Sequence, residues 1–273
     1  MIIKKHCIII PRHNIMDIGV VVMRAENITS RKNQYIQHLK SLCADSAYRR
    51  EHSQYAGDGI KLLREALACG AEVTSVLWRE NAQALPGLEG AKIYTAPSEL
   101  FDYASPMKNS PGPVFTLRMP DNGDEVEINR AIALENVQDP GNVGTVIRTA
   151  AAFGIDAVIL LGACADVYSP KTVRATMGAI FREKIIHTDI SGLETLCQKS
   201  GLSLYGAALT DKAKDVRGID LKRAVVAIGS EGRGLSRELL DVCTGELIIP
   251  MTEGSESLNA AVAASIVLWE MAR

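Results

Sequence analysis

The chain has six cysteines in 273 residues and not one Cys-x-x-Cys pair. Cys7, Cys43, Cys69, Cys164, Cys197 and Cys243 are scattered. That argues against a disulfide framework and a cysteine zinc site, and it points to reduced thiols in a cytoplasmic protein. No apolar run reaches the roughly 18 residues that a membrane helix needs, so no membrane span is expected. Gly-Lys-Ser and Gly-Lys-Thr are absent, which rules out a Walker-type phosphate loop. There is no internal repeat and no low-complexity tract.

Net charge is also small, at −2, but it is unevenly placed. Residues 24–64 carry eight basic residues (Arg24, Arg31, Lys32, Lys40, Arg49, Arg50, Lys61, Arg64) against Glu26, Asp45, Glu51 and Asp58. A basic N-terminal part on an acidic body fits a nucleic-acid partner, and it fits a solvated helical face equally well. The opening "MIIKKHCIIIPRHNIMDIGVVVM" begins like a secretory leader. Pro11, Arg12, His13, Asn14 and Asp17 interrupt its apolar core, and no small-residue cleavage site follows. It reads as an N-terminal extension, residues 1–23, of unassigned role. Met23 is a candidate start, since the recognisable pattern begins just after it.

From residue 24 the pattern is a small α/β unit. Tyr35, Ile36, Leu39 and Leu42 recur at helical spacing behind Ser30, a candidate N-cap. "DGIKLLREALACG" is a second helix ending at Gly70, "EVTSVLWRE" and "AKIYTA" are strands, and "PSELFDYAS" is a short helix opened by Pro97. The unit is expected to end near residue 105. Residues 106–129, with Pro106, Pro111, Pro113 and Pro120, read as a linker with one possible strand at "VFTLRM". After residue 130, apolar strands alternate with helices to the end at 273. That is the grammar of a parallel sheet covered on both faces.

Three strand–loop–helix junctions in this half are unusual: "QDPGNVG", "GSEGRGLS" and "MTEGSESLN". Each follows the carboxyl end of a strand, where open α/β sheets bind ligands. The glycine spacings are G-x-x-G and G-x-x-G-x-G, so a Rossmann dinucleotide loop fails on spacing. Any one loop is as well explained as a tight turn, whereas three together favour a composite site. Asn142, Arg148, Glu231, Ser257 and Asn259 stand in or beside these loops within apolar segments. Ser257 and Asn259 also suit an N-cap pair. Arg148 lies in an apolar helix and is expected to be buried, paired with an acid such as Glu231, or to face a cleft with it.

"NVQDPGNVGTVIRTAAAFG", "YSPKTVRATMGAIF", "AIGSEGRGLS" and "IIPMTEGSESLNAAVAASIVLWE" resemble, in order, the motifs of the SpoU (TrmH-type) RNA ribose 2′-O-methyltransferases of the SPOUT superfamily. The resemblance covers residues 130–273. "TSRKNQYIQHLKSL…DGIKLLREAL" is more loosely similar to the family's L30e-like substrate-binding domain. The family usually has glycine two residues after the Met of "IPM", where this chain has Glu253 followed by Gly254.

The resemblance implies a deep trefoil knot in the second domain, a small L30e-like domain before it, and a homodimer through the knotted domain. It implies S-adenosylmethionine held by Gly229, Ile249, Met251 and Leu258, with no metal. A catalytic Arg148 would be supported by Asn142, Glu231, Ser257 and Asn259. Arg31, Lys32, Lys171 and Arg174 become candidate RNA contacts, although Lys171 suits a solvated helix face as well. The family arginine is usually given the role of base, but a guanidinium is a poor one. A fixed cation that stabilises the forming alkoxide and clamps a phosphate suits it better. The activity implied is methylation of a ribose 2′-hydroxyl. 23S rRNA is favoured because tRNA members generally lack the first domain. The alternatives are a tRNA substrate, an inactive RNA-binding member, and an NAD-type enzyme that the glycine spacing disfavours.

Overall fold

The computed structural model describes residues 6–9, 22–83, 85–120, 127–252 and 257–273. The chain forms two compact units, residues 1–121 with 168–170, and residues 122–167 with 171–273. In the first unit the elements are β1 (His6–Ile9), β2 (Val22–Asn27), α1 (Gln34–Ala44), α2 (Ser46–His52) and β3 (Gln54–Asp58). They are followed by α3 (Ile60–Ala68), β4 (Val73–Arg79), β5 (Lys92–Ala96), α4 (Ser98–Ala104) and β6 (Val114–Arg118).

The six strands form one mixed sheet in the order β1-β2-β5-β4-β6-β3. Helix α1 starts later than a cap at Ser30 would place it, although its apolar positions fall where expected. Asn33 is its N-cap, accepting from the Tyr35 N–H at 2.9 Å. Ser30 instead accepts from Lys32 N in the preceding turn, at 3.2 Å. Ile36, Leu39, Leu77, Phe101 and Val114 make the core of this unit. Burying each side chain of this size is worth roughly 1.5–3 kcal/mol.

The proline-bearing part of the segment expected as a linker, up to about residue 121, belongs to this unit. Strand β6 pairs antiparallel with both β4 and β3 inside the sheet. Pro113 and Pro120 stand outside the strand, so they delimit it without removing a ladder donor. The expected boundary at 105 therefore moves to about 121. The extension over residues 1–23 contributes β1 and the start of β2, paired antiparallel with Cys7 opposite Arg24.

The second unit contains β7 (Arg130–Glu135), α5 (Pro140–Phe153), β8 (Ala157–Leu161), α6 (Pro170–Ala175), β9 (Ile185–Thr188) and α7 (Ile190–Ser200). It continues with β10 (Ser203–Ala207), β11 (Lys214–Asp215), β12 (Ala224–Ile228), α8 (Arg237–Val242), β13 (Gly245–Ile248) and α9 (Ala260–Ala272). The seven strands are all parallel, in the order β11-β13-β10-β12-β7-β8-β9. Strands β8 and β12 are buried along their whole length, as a sheet covered on both faces requires.

The strand order decides where a ligand can sit. The chain runs outward through β7, β8 and β9, crosses to β10 on the other side, and then places β12 between β7 and β10. The carboxyl ends of β7, β12, β10 and β13 are thereby brought side by side where the winding reverses, which is the place an open α/β sheet offers for binding.

Candidate active site

The loop after β12, residues 229–236, is folded tightly on itself. Gly234 N–H donates to Ser230 O at 2.8 Å, and Gly234 has φ of +64°. A Cβ at Gly229 would overlap the backbone of Gly234 and Leu235, so only glycine permits this closure. The loop after β7 is fixed by helix capping. Asp139 accepts from the Asn142 N–H at 2.9 Å, with Pro140 in the first turn of α5. Gly144 allows α5 to approach α6, because a Cβ there would lie 2.9 Å from Thr172 O and against Ala175. The third junction is fixed by Asn259, the N-cap of α9, which accepts from Ala261 N at 3.0 Å and Val262 N at 3.3 Å.

These three junctions meet. The Asn142 amide donates to Glu231 Oε1. The Asn259 amide donates to Asn142 Oδ1 at 3.2 Å and to Glu231 Oε1 at 3.5 Å. All three residues are at the surface of the second unit, so this is an accessible cluster and not a buried network. Beside it is a cavity of about 370 Å³ lined by the ends of β10, β12 and β13 and by the start of α9. Its walls include Ile228, Gly229, Leu247, Ile249, Met251, Ser257 and Leu258, with Glu231 and Arg233 at the loop. A second cavity of about 590 Å³ lies against the same loop and is lined by Gln138, Asp139, Ser230, Glu231 and Arg233 among others.

Of the residues singled out in the sequence, Gly229, Ile249, Met251 and Leu258 line the first cavity, as does Ser257. The expected helix-cap pair resolves into Asn259 alone, which makes the cap hydrogen bonds of α9. Of the two alternatives for Arg148, the buried pair with Glu231 is not the one found. Helix α5 buries Val143, Val146, Ile147 and Ala150, and Arg148 is on its exposed side. Among the described residues Arg148 has neither a hydrogen bond nor an ion pair, so Glu231 is not its partner. Lys171 and Arg174 are exposed, three positions apart on or beside α6. Glu253 and Gly254, where the third motif departs from its pattern, lie outside the described residues.

In the first unit, Arg31 and Lys32 are exposed in the turn before α1. The Arg31 guanidinium lies 4.5 Å from the Tyr103 ring centroid, and Lys40 lies 4.8 Å from the same ring. This aromatic-backed basic surface is the feature of that unit most suited to a polyanion.

Three of the thiols offer no competing chemistry. Burial pushes Cys43 and Cys243 up to about 12 and Cys197 up to about 11, so all three stay protonated near neutrality. Among the described residues no cluster of His, Cys, Asp and Glu could hold a metal ion. No helix among them is long and apolar enough to cross a membrane.

Three residues of the site were not singled out in the sequence. Asp139 sets the entry of α5, and Arg233 faces both cavities. Glu135, 4% exposed at the end of β7, accepts two hydrogen bonds from Ser236. A carboxylate closing an otherwise apolar strand is a legible signal for the last of these, since a buried acid needs partners.

Fold and site together define the second unit as a doubly covered α/β fold with a cavity of about 370 Å³ outside the carboxyl ends of a reordered parallel sheet, where such folds take their ligands. The chain belongs to the SpoU rRNA Methylase family, whose model matches residues 129–269. It is similar to the 23S rRNA (guanosine(2553)-2′-O)-methyltransferase RlmP of Bacillus subtilis, 28% identical, covering 90% of this chain and 99% of that one. It is equally similar to the 23S rRNA (uridine(2479)-2′-O)-methyltransferase of Streptomyces viridochromogenes, 28% identical, covering 91% and 92%. Among solved structures, the AdoMet-bound rRNA methyltransferase from Sinorhizobium meliloti superposes with a TM-score of 0.80 at 27% identity, covering 90% of this chain and 97% of that one.

Proposed function

We propose that this protein transfers the methyl group of S-adenosylmethionine to a ribose 2′-hydroxyl of RNA, and that the RNA is 23S rRNA. One observation carries the reading: Asn142, Glu231 and Asn259, from three separate junctions, converge beside a cavity of about 370 Å³ with apolar walls. Such walls suit a flat base, and the exposed main chain at three strand ends suits its polar edges. Gly229, Ile249, Met251 and Leu258 would hold the donor. When bound, the donor supplies an activated methyl group on a sulfonium centre.

The chain's own residues then have distinct tasks. Arg148 pairs with the phosphate next to the target ribose and stabilises the 2′-oxygen as its proton leaves. That proton passes to the phosphate or to water, since a guanidinium stays charged well above neutral pH. Asn142 and Asn259 hold Glu231 in one orientation at the rim, and Ser257 faces the cavity from the third loop. Lys171 and Arg174 in the second unit, and Arg31 and Lys32 in the first, are phosphate contacts.

Relatives that span both units at equal identity are named for a guanosine and for a uridine of 23S rRNA. This supports rRNA as the substrate and leaves the base to features the relatives do not share.

The same proposal includes a deep trefoil knot formed by the last strands and helix, an L30e-like first unit, and a cytoplasmic location in which the cysteines stay reduced. It also includes a homodimer through the second unit. There Trp269, 56% exposed, and Val262, 48% exposed, leave an apolar stripe on α9, and Trp269 packs edge-on against Phe153. Sedimentation should show a dimer, and a monomer would contradict that part.

The test of the activity is label transfer from methyl-tritiated donor to unmethylated 23S rRNA, 16S rRNA and tRNA transcripts. Label in 23S rRNA is expected. Label confined to tRNA would move the substrate, and donor binding with no labelled RNA would favour an inactive RNA-binding member.

A further inference from the structure

We infer that Glu135 is a positioning residue: its buried carboxylate anchors the far end of loop 229–236, and through that loop it sets Glu231 and the wall of the donor cavity. For its ligand, this rests on the methyltransferase reading above. For its geometry it rests only on the fold.

The near end of the loop is held by the sheet. Ile228, the last residue of β12, pairs with Leu134 of β7. Glu135 is the next residue on β7, so its side chain starts beside the point where the loop departs. Its Oε2 accepts from the Ser236 N–H at 2.7 Å, and its Oε1 accepts from the Ser236 hydroxyl at 2.6 Å. The Ser236 hydroxyl in turn accepts from Leu239 N at 3.2 Å and caps α8. One carboxylate therefore ties the end of the loop to the neighbouring strand and registers the helix that follows.

Between those ends the loop has little of its own to hold it. Glu231, Gly232, Arg233 and Gly234 are exposed, and the internal closure is the Gly234–Ser230 hydrogen bond with its Gly229 contact. Hydrogen bonds to an ionised acceptor are roughly twice as strong as neutral ones. A carboxylate that is only 4% exposed is costly unless both oxygens are engaged. Glu135 and Ser236 therefore hold one geometry in preference to others. The loop they hold faces both cavities and carries Glu231, to which Asn142 is bonded.

Three readouts on the full chain test this: amide exchange of residues 229–236 without ligand, donor affinity by titration with S-adenosylmethionine, and the thermal midpoint. In Glu135→Ala the loop amides should exchange about tenfold faster, while those of β8 and α7 keep their wild-type rates; donor Kd should rise by about tenfold. Glu135→Gln keeps an acceptor for the Ser236 N–H and should recover part of both effects. Glu135→Asp is one methylene short of Ser236 and should recover little.

A merely structural role would lower the thermal midpoint and speed exchange throughout the unit without a loop-confined change. That outcome overturns the proposal, as does wild-type loop exchange or wild-type donor affinity in Glu135→Ala. If Glu135→Ala does not fold, Ser236→Ala carries the test. It removes one of the two bonds and should give smaller effects in the same direction, and no effect on either readout overturns the proposal. If the wild type binds no donor, the methyltransferase reading fails, while loop exchange still decides the role of Glu135.

Discussion

Asn142 and Glu231, 89 positions apart in the chain, are joined by a side-chain hydrogen bond from the Asn142 amide to Glu231 Oε1. Asn259 closes the group by donating to both, while its own carbonyl oxygen caps α9. The loop after β7, the glycine loop after β12 and the start of α9 are thus held in one register at the cavity rim.

Removing the link at Asn142 should affect chemistry more than donor binding, because the cavity walls come from other segments. Asn142→Ala is expected to lower kcat by on the order of a hundredfold, with donor Kd changed by less than about threefold. Steady-state kinetics with parallel donor titration checks this. A collapse of donor affinity with kcat intact would make the cluster a support for the cavity alone.

Arg148 is exposed and makes no hydrogen bond or ion pair among the described residues, so its removal should leave stability within about 0.5 kcal/mol of wild type. Arg148→Ala should nevertheless reduce RNA methylation by on the order of a hundredfold. Arg148→Lys should restore only part of it, since an ammonium lacks the planar fork that grips a phosphate. The slope of log affinity against log salt should also fall by about one. Unchanged activity in Arg148→Ala would remove this residue from the mechanism.

What the sequence made legible, and what it did not, follows from how each signal arises. The three junction loops stood out because glycines and lone polar residues interrupt apolar strands and helices. Their convergence then followed from the parallel topology. The sequence left a buried and a cleft-facing Arg148 open, because an apolar helix in sequence need not be buried all round. Helix α5 buries Val143, Val146, Ile147 and Ala150, whereas Thr145, Arg148 and Ala152 face outward. Helix α9 shows the same limit, with Val262 and Trp269 exposed in a stretch that reads as core. The prolines of residues 106–120 look like linker punctuation, yet they bracket β6, whose pairing partners are 37 or more positions earlier. Long-range pairing of that kind leaves no local mark.

Gly229 and Gly232 make a matched pair of tests. A Cβ at Gly229 would overlap Gly234 and Leu235, whereas at Gly232 it meets nothing within 4 Å. Gly229→Ala should weaken donor binding by at least about a hundredfold and lower the thermal midpoint, because backbone must shift. Gly232→Ala should leave donor affinity within about threefold of wild type. Titration and thermal melts of both variants check the pair, and equal tolerance would contradict the loop closure described for 229–236.

Glu183 should make stability depend on pH. Burial, and after it the charge of Asp156, pushes its carboxyl up to about 8, with Arg182 opposing. Its Oε1 is buried without a hydrogen-bond partner. The native state therefore keeps a proton that the unfolded chain loses near 4.5. The associated stability is full below that pH and drains away as the pH rises towards about 8. Glu183→Gln should flatten this dependence, raising stability at alkaline pH relative to wild type. Urea unfolding at about pH 5.5 and about pH 8.5 measures it, and an equal loss in both proteins would contradict the assignment.

The most direct test of the central claim is the chemical position of the transferred methyl group. 23S rRNA transcript is labelled from methyl-tritiated S-adenosylmethionine by the wild-type protein and then digested to completion with alkali. Alkali cleaves RNA through the free 2′-hydroxyl, so a methylated ribose survives as a dinucleotide. The account predicts label in an alkali-resistant dinucleotide and its loss with Arg148→Ala. Label released in mononucleotides would place the methyl on a base and contradict it.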